Sequence, residues 1–560
     1  MSRLFTASLI SFVTTIIFFT TIDTNACLIS ININGSRQVS QQRPLSQRVS
    51  GLLNGLNSTT PQIQTILPLG MTMWRGPPSA WLWPNHTSCK GIGTCCTASS
   101  CTPIFNELTL GLKRLQLRQQ YILSSIHYGV SDCEYHALHG SPHNCSLPGG
   151  PSDPDMTLWE YTINVTALNA IRYGLMNMNN SNLLYFDIWN EPNAQRNVQC
   201  MIENSTCPFD SNLTQSSFFN IYDKAHQVLR LVAPNAKIVA PSLADGGPGQ
   251  NGFATVFPWL QSFLLHAHHS NTLPDVLSWH VSMIESNTSL LETQHILLKE
   301  WAKEHGITLP PIAHNEILSP RTTLSPAVTL NYLIMLERLK VEHSCRACWV
   351  DPVTKASPCN DNTLDGLLTN DCLQNTSLGP NKGYKPACTP ELKPRSVYYA
   401  HQFFHDLRDQ NQIDMKIISS NVSEVSEVSN ISNVSNETTC VGIDGIAVIN
   451  DKDEKNNVVT VLLGRGYDSD STNNIDSTNI DSTKIVIQSV DFQVFVGFLN
   501  ESSQIFTVEI HQVVMSGRSA SIGPIIVNKT NITLSEPGDI LMFSLVMSAN
   551  DIYKIIISPQ

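Results

Sequence analysis

Two glutamates, Glu191 and Glu316, each follow a short apolar run of the kind that forms a buried strand. Two carboxyl groups about 5 Å apart can cleave a glycosidic bond with retention of configuration, because one protonates the leaving oxygen while the other attacks the anomeric carbon. A fold that supports this chemistry must bring the two positions, which are distant in sequence, to one site.

Residues 61–408 alternate short β-branched or aromatic runs with amphipathic stretches of helical length, a pattern typical of βα units around a parallel sheet. The predicted strands are 66–73, 122–126, 183–189, 236–240, 275–280, 311–316 and 345–350, and the predicted helices are 159–176, 216–231, 257–268, 293–305, 326–339 and one after Pro394. Counted back from the last helix, they indicate an α/β fold, a (β/α)8 TIM barrel. Because the carboxyl ends of barrel strands share one mouth, Glu191 after strand four and Glu316 on strand seven should converge.

The composition changes after the predicted barrel. Residues 419–439 repeat a triplet of Asn or Glu, Val or Ile, and Ser, which lacks the bulk for a packed core. Short alternating runs with turn residues follow and predict an all-β sandwich, with a loop at 473–484. The predicted organisation is a signal peptide at 1–26, an N-terminal segment at 27–60, a catalytic barrel at 61–408, an Asn/Ser-rich glycosylated linker or loop at 409–439, and a β-sandwich at 440–560.

The first residues are typical of an export signal. Arg3 precedes a mostly apolar run at 9–22, and Thr24-Asn25-Ala26 offers a small-residue cleavage site just before Cys27. The run is shorter than the roughly 20 residues that span a bilayer, and no later segment reaches that length. We expect a secreted or extracellular product with no membrane span after cleavage, and a lysosomal destination also fits.

In an exported chain the N-glycosylation acceptors can carry glycans, although a chain rich in Asn and Ser forms some acceptors by chance. Only 14% of the residues are charged, against roughly 25% in soluble domains, so glycans would supply solubility. The acceptors are Asn34, Asn57, Asn85, Asn144, Asn164, Asn179, Asn204, Asn212, Asn287, Asn375, Asn421, Asn430, Asn433, Asn436, Asn500, Asn528 and Asn531.

The 15 cysteines of an exported chain indicate disulfides, with one thiol left free or bonded between chains. The pairing stays open. Cys345-x-x-Cys348 has the spacing of half a zinc site, but no second half has matching spacing, so we expect no metal. His266, His268 and His269 are typical of a solvated helix end.

Charge excludes one class of partner. The chain has 34 basic and 46 acidic residues and a net charge of −12, with no stretch dense in Lys or Arg, so nucleic acid is not an expected partner. Acid and nucleophile chemistry needs no cofactor. The expected partner is a carbohydrate, whether oligosaccharide, polysaccharide or glycoconjugate, and the oligomeric state stays open.

The segment Trp189-Asn190-Glu191-Pro192-Asn193 resembles the acid/base signature of the clan A glycoside hydrolases. The order of elements from about 155 to 408, the opening of the last helix at 393–399 and the following sandwich are similar to family 39, which contains β-xylosidases and α-L-iduronidase. The resemblance implies that Glu191 is the acid/base, that Asn190 bonds the sugar 2-hydroxyl, and that Glu316 is the nucleophile. It also implies substrate binding by His280 after strand six and Trp349 on strand eight, although both also suit a core.

Two further residues are predicted to bind substrate if the strand count holds: Arg75 after an early strand and His127 after the third. Asp187 and Glu285 are interpreted as structural, because Asp187 alternates to the face opposite Ile188 and Glu285 lies in a loop.

The chain also departs from the family pattern. Strand seven ends in His314-Asn315-Glu316 where the family has Thr-Glu or Asp-Glu, and Ser282 stands where a Tyr often follows the strand-six His by two. The groups that tune ionisation of the nucleophile must therefore come from elsewhere.

The sequence predicts a secreted retaining glycosidase that acts by double displacement, with xylosides or uronides among the possible substrates. One alternative is a catalytically decayed carbohydrate-binding or adhesion protein on a glycosidase barrel. Another is a different clan A family with another sugar or an endo-acting cleft. Glu191 could also be a helix-start residue, because Pro192 suits a first turn.

Overall fold

The structure is a computed structural model of the 560-residue chain. It describes residues 27–33, 45, 48–53, 63–78, 118–123, 155–171, 184–193, 215–244, 253–282, 288–318, 325–347, 366–369, 393–419, 443–450, 458–465, 487–496, 504–516, 520–535, 539–548 and 550–560. The chain divides into two compact units. A barrel unit comprises Ser46–Arg408 and Met515–Gly523, and a β unit comprises Met1–Leu45, Asp409–Val514 and Pro524–Gln560.

The barrel unit contains a closed parallel barrel. Its strands one to eight are Gly51–Leu53, Met73–Pro78, Arg118–Ile122, Leu184–Asp187, Lys237–Leu243, Val276–Trp279, Ile312–Leu318 and Ser344–Ala347. Arg346 and Ala347 of strand eight pair with Leu52 and Leu53 of strand one, which closes the ring. The short strand Val281–Ser282 also pairs with strand seven. The predicted (β/α)8 barrel is confirmed.

The helices of the barrel unit follow the predicted order. They are Ile63–Ile66, Thr157–Asn169, Gln215–Val232, Phe253–His269, Thr288–Glu304, Pro326–Arg338 and Ser396–Asp406. The sequence sets their ends in recognisable ways. Ser325 caps the helix at Pro326 by accepting a bond from Val328 N at 3.3 Å, and Gly306 follows the helix Thr288–Glu304 with a left-handed φ of 67°.

Two early strand predictions are wrong. Residues 66–73 end a short helix and continue as a 3-10 turn, Leu67–Leu69, and strand two starts only at Met73. Pro68 has no backbone N–H to give to a sheet, and it suits the first turn of a helix. Strand three begins at Arg118, ahead of the predicted 122–126. The barrel itself begins at Gly51, inside the predicted N-terminal segment 27–60.

Side chains fill the barrel in layers. An apolar layer consists of Leu53, Met73, Tyr185, Val239, Val276, Ala313 and Cys345. Because alternate residues of a strand share a face, the next layer toward the carboxyl ends contains the residues two positions further on. Most of its described residues are polar: Arg75, Asp187, Ser278 and Asn315 follow Met73, Tyr185, Val276 and Ala313, and all four are buried, whereas Pro241 follows Val239. A polar layer on an apolar one is a rigid base for a site at the mouth.

The β unit is a nine-stranded, mostly antiparallel sheet that packs on itself around one core. In sheet order its strands are Ile525–Leu534, Gln504–Val513, Ile552–Pro559, Val458–Arg465, Ile443–Asn450, Asn411–Ser419, Cys27–Ile33, Ile487–Val496 and Ile540–Ser548. The predicted sandwich is confirmed, but its extent is larger. Asn411–Ser419 falls in the predicted linker, and Cys27–Ile33 falls in the predicted N-terminal segment.

Several predictions lie outside the described residues: the signal peptide, the loop 473–484 and most of the cysteines. Cys345 is a free, buried thiol in the barrel, and burial raises its pKa to about 12. No helix in the described part of the chain combines the length and the hydropathy that a membrane span requires.

Candidate active site

The backbone after strand four holds Glu191 in a constrained position. Glu191 has a φ of 55°, in the left-handed region that a residue with a side chain seldom adopts, and its N–H donates to Ser242 O at 2.9 Å. Asn193 exchanges two bonds with the backbone of Ala244, at 2.7 and 2.8 Å. The loop is thus fixed to the end of strand five, and its strain is of the kind that clusters at functional sites.

Glu316 reaches the barrel mouth because strand seven contains a bulge. His314 and Ile317 pair with Ser344 and Arg346 of strand eight, so strand seven has one residue more than its partner over this interval. A bulge re-aims side chains and breaks strict alternation. It explains how the neighbours Asn315 and Glu316 can both take part in the site.

The two carboxylates meet at His280. Single ligand atoms of Glu191, His280 and Glu316 all lie within 4.8 Å of one another. His280 Nδ1 is 2.8 Å from Glu191 Oε1 and 3.6 Å from Glu316 Oε2. An oxygen of each carboxylate therefore lies within 4.8 Å of the other.

His280 is buried between the two acids. Burial by itself lowers the pKa of its imidazole, but Glu316 and the bond with Glu191 outweigh burial and raise the pKa above the ordinary value. Because an ionised carboxylate can only accept, Nδ1 is the nitrogen that carries a proton in its contact with Glu191 Oε1. The side chains of Glu191 and Glu316 keep 20% and 14% exposure, so they are accessible from the mouth while His280 is enclosed.

Arg75 connects Glu316 to Asn190. Its Nη1 donates to Glu316 Oε2 at 2.9 Å and its Nη2 donates to Asn190 Oδ1 at 2.6 Å. Burial alone lowers the pKa of the guanidinium, but Asp187 and Glu316 outweigh it and raise the pKa, so the group stays charged. With Oδ1 engaged by Arg75, the amide nitrogen of Asn190 is the end that can donate to a sugar hydroxyl.

Asp187 holds the polar layer together. Its carboxylate accepts two bonds from Arg75, from Nε at 2.9 Å and from Nη2 at 2.7 Å, and both side chains are fully buried. Further bonds come from Gln120 Nε2 at 3.0 Å, Asn315 Nδ2 at 2.8 Å and Ser242 Oγ at 2.6 Å. A buried carboxylate with five donors fixes the orientation of Arg75.

Neutral side chains bond the residues that donate to the Asp187 carboxylate. His343 Nε2 lies 2.7 Å from Gln120 Oε1, and burial holds the pKa of His343 well below its ordinary value. Because Gln120 uses its amide nitrogen for Asp187, its oxygen must accept, so His343 carries its proton on Nε2. Ser278 Oγ bonds Ser242 Oγ at 2.8 Å. The positive charge of Arg75 is therefore shared by Asp187 and Glu316.

The predicted site residues fall into three groups. Glu191, Glu316, Asn190 and His280 come together as the sequence implied. Arg75 also lies here, but its guanidinium is fully buried against Glu316, Asn190 and Asp187, so it contacts the carboxylate site and not the open mouth. His127 and Trp349, the remaining predicted substrate contacts, lie outside the described residues, as does Glu285.

Asp187, interpreted from sequence as structural, proved to be the residue that orients Arg75. A usable signal was present. A carboxylate in the apolar run Leu184–Asp187 must be buried, and a buried charge needs an opposite charge or several donors. Arg75 was the arginine already predicted at the same mouth, so the pair could have been proposed from sequence.

No protein-family model matches the sequence, and no curated protein matches it. Solved structures do match over the whole chain. A monomeric β-xylosidase from Caulobacter crescentus CB15 has a TM-score of 0.59 at 12% identity, covering 95% of this chain and 99% of that one. The fold is that of a glycosidase. The GH39 enzyme of Xanthomonas axonopodis pv. citri has a TM-score of 0.58 at 12% identity (96% and 98% covered), and N2152 from Neocallimastix frontalis 0.56 at 17% (95% and 99%). The resemblance to family 39 is confirmed at the level of the fold.

The same three groups, Glu191, His280 and Glu316, form the one cluster among the described residues with the ligand types for a metal ion. Arg75 argues against that use. Its cationic Nη1 already bonds Glu316 at 2.9 Å, and His280 Nδ1 is already engaged with Glu191 Oε1 at 2.8 Å. The electrostatics favour proton transfer over cation binding.

Proposed function

We propose that the chain is a secreted retaining glycoside hydrolase that cleaves O-glycosidic bonds by double displacement. One observation carries the proposal: carboxylate oxygens of Glu191 and Glu316 lie within 4.8 Å across the barrel mouth. That spacing leaves room for an anomeric carbon between a nucleophile and an acid, and it places both groups within reach of the same bond.

In the first step, Glu316 attacks the anomeric carbon while Glu191 gives its proton to the departing oxygen, and a covalent glycosyl ester forms. In the second step, Glu191 takes a proton from water, the water oxygen attacks the anomeric carbon, and the ester bond to Glu316 breaks. Arg75, bonded to Glu316 Oε2, orients the nucleophile. The negative charge of Glu316 opposes ionisation of Glu191, and that opposition ends when the ester forms.

Ser282 stands where the family often has a tyrosine. His280 and Arg75 supply the contacts to Glu316 in place of that tyrosine. Both contact Glu316, at 3.6 and 2.9 Å. These two partners hold the carboxylate aligned for attack. Asn190, oriented by Arg75, offers its amide to the sugar hydroxyl beside the reacting carbon.

The substrate class follows the structural neighbours. These neighbours include a β-xylosidase, a glucosidase and an α-L-arabinofuranosidase. We expect a glycoside of a neutral pentose or hexose, or a uronide, and the extracellular medium or a lysosome as the place of action.

The test is a panel of aryl glycosides covering xylosides, glucosides, arabinofuranosides and uronides, with product configuration read by NMR. Glu191→Gln should lower kcat by about 10²–10⁴-fold, the usual contribution of acid/base catalysis, and Glu316→Gln should abolish turnover. Glu300→Gln, on an exposed helix position, is the matched control and should retain activity.

Azide distinguishes the two carboxylates. In Glu191→Ala it can attack the covalent intermediate and give a glycosyl azide of retained configuration. In Glu316→Ala it can enter from the face of the missing nucleophile and give the inverted azide. Absence of turnover with every glycoside, together with tight sugar binding by the wild type, would identify a carbohydrate-binding protein instead.

A further inference from the structure

One edge of the β unit is unusually open. The strand Ile525–Leu534 ends the sheet order and pairs with Gln504–Val513, and with no other strand in the described part of the chain. Its outer row of backbone N–H and C=O groups can therefore bond a further strand. Ile525, Ile526 and Val527 are exposed in succession, at 39%, 59% and 42%. Three β-branched residues on an open edge favour pairing with a second copy of the chain.

Charge on this edge gives little protection. Edge strands commonly use lysines to repel other strands. Lys529 is the basic residue of Ile525–Leu534, and its Nζ bonds Glu509 Oε2 of the neighbouring strand at 2.8 Å. The pair largely cancels the repulsion that a free ammonium would supply. Something else must keep this edge from pairing.

The same strand carries the acceptor Asn528-Lys529-Thr530, all three of whose residues are exposed. Asn528 pairs with Ile510, directly beside the bulge between Ile510 and His511. The second acceptor, Asn531, has its Oδ1 held by Thr507 Oγ1 at 3.0 Å and Gln560 Nε2 at 3.1 Å. Asn528 has no such bond among the described residues, so its amide can carry a large group without breaking one.

We propose that Asn528 is N-glycosylated and that the glycan blocks strand addition at this edge. In the modification, the amide nitrogen of Asn528 displaces the lipid pyrophosphate of a lipid-linked oligosaccharide at the anomeric carbon. An N-glycosidic bond forms, the carbon–oxygen bond to pyrophosphate breaks, and the nitrogen loses one proton. The hydrated oligosaccharide then lies next to Ile526 and Val527. The proposal requires export but is independent of the glycosidase activity.

Thr530 offers a matched pair of variants, because the acceptor needs Ser or Thr at this position. Thr530→Ser keeps the acceptor, whereas Thr530→Ala removes it and leaves Asn528 in place. The full chain is secreted from a eukaryotic host, and the peptide containing residue 528 is released by a glycan-cleaving amidase in ¹⁸O water. Occupied Asn528 becomes labelled Asp. Wild type and Thr530→Ser should be labelled and monomeric by light scattering, and Thr530→Ala should be unlabelled and form oligomers.

Unlabelled Asn528 in secreted wild type overturns the proposal. So does a Thr530→Ala protein that lacks the glycan yet stays as monodisperse as Thr530→Ser. Circular dichroism melting of each variant shows whether oligomers come from the folded protein. Aryl glycoside turnover is measured separately, so the labelling and light-scattering results can be interpreted even if no glycosidase activity is found.

Discussion

Removing the carboxylate of Asp187 should destabilise the barrel more than any neutral substitution in the same layer. Asp187 and Arg75 are both fully buried, and Asp187 accepts bonds from Arg75, Gln120, Asn315 and Ser242. Breaking a buried ion pair from one side costs about 3–5 kcal/mol, because the remaining charge loses its partner without regaining water. Glu316 still contacts Arg75, so we expect about 3 kcal/mol for Asp187→Ala.

The assay is urea unfolding followed by tryptophan fluorescence, since Trp74, Trp189 and Trp279 are all buried in the barrel unit. Ser278→Ala is the matched control: it removes a neutral hydroxyl that bonds Ser242 in the same network, which is worth about 1 kcal/mol. Asp187→Asn should also destabilise the barrel, because its amide keeps an acceptor oxygen but leaves the buried Arg75 guanidinium without the negative charge of Asp187.

Catalysis gives a second readout that a purely structural role would not move. Without Asp187, Arg75 loses the two bonds that fix its orientation against Glu316. The kcat of Asp187→Asn should therefore fall, while that of Ser278→Ala should stay near the wild-type value. The reasoning is refuted if Asp187→Ala unfolds within about 1 kcal/mol of Ser278→Ala, or if the kcat of Asp187→Asn equals that of wild type.

Three further predictions concern protons and metal. His280 has a raised pKa, so it stabilises the fold fully below pH 6.5 and less as pH rises through the raised value; the unfolding free energy lost in His280→Asn should shrink with rising pH. Burial lowers the pKa of His314 to about 3 and that of His295 to about 2, so stability should fall below pH 6.5, by about 1.4 kcal/mol per pH unit for each histidine, in urea titrations. His314→Asn should flatten that slope and exposed His268→Asn should not. Chelation by EDTA should leave turnover unchanged, because Arg75 occupies Glu316; loss of activity restored by one divalent metal would contradict this.

Long periodic elements could be predicted from the sequence, and short ones could not. The helices Gln215–Val232 and Pro326–Arg338 lie within one residue of their predicted ends, because amphipathic period, Pro and cap residues act locally. Strand one, Gly51–Leu53, has three residues, too few for any alternation to show. The run 66–73 has strand composition, but Pro68 and the turn at Gly70 override it.

The sequence could predict those site residues whose position depends only on the end of a single strand. Glu191 and Glu316 needed only the strand count, which was correct for strands four to eight. The bonds of Arg75 go to side chains of two other segments, 184–193 and 288–318, and the sequence gives no distance between them. The bulge in strand seven allows both Asn315 and Glu316 to take part in the site. It depends on the register of strand seven against strand eight, which the sequence does not give.

The departure His314-Asn315-Glu316 follows from Asp187. Asn315 Nδ2 donates to Asp187 Oδ2 at 2.8 Å and to Ser242 Oγ at 2.7 Å, and both contacts require a donor. An aspartate at 315, as in the family ending Asp-Glu, would place two carboxylates against each other in a fully buried layer, where like charges are costly. A carboxylate at position 187 therefore requires an amide at position 315. Asn315 bonds Asp187, and Asp187 in turn orients the Arg75 guanidinium that bonds Glu316.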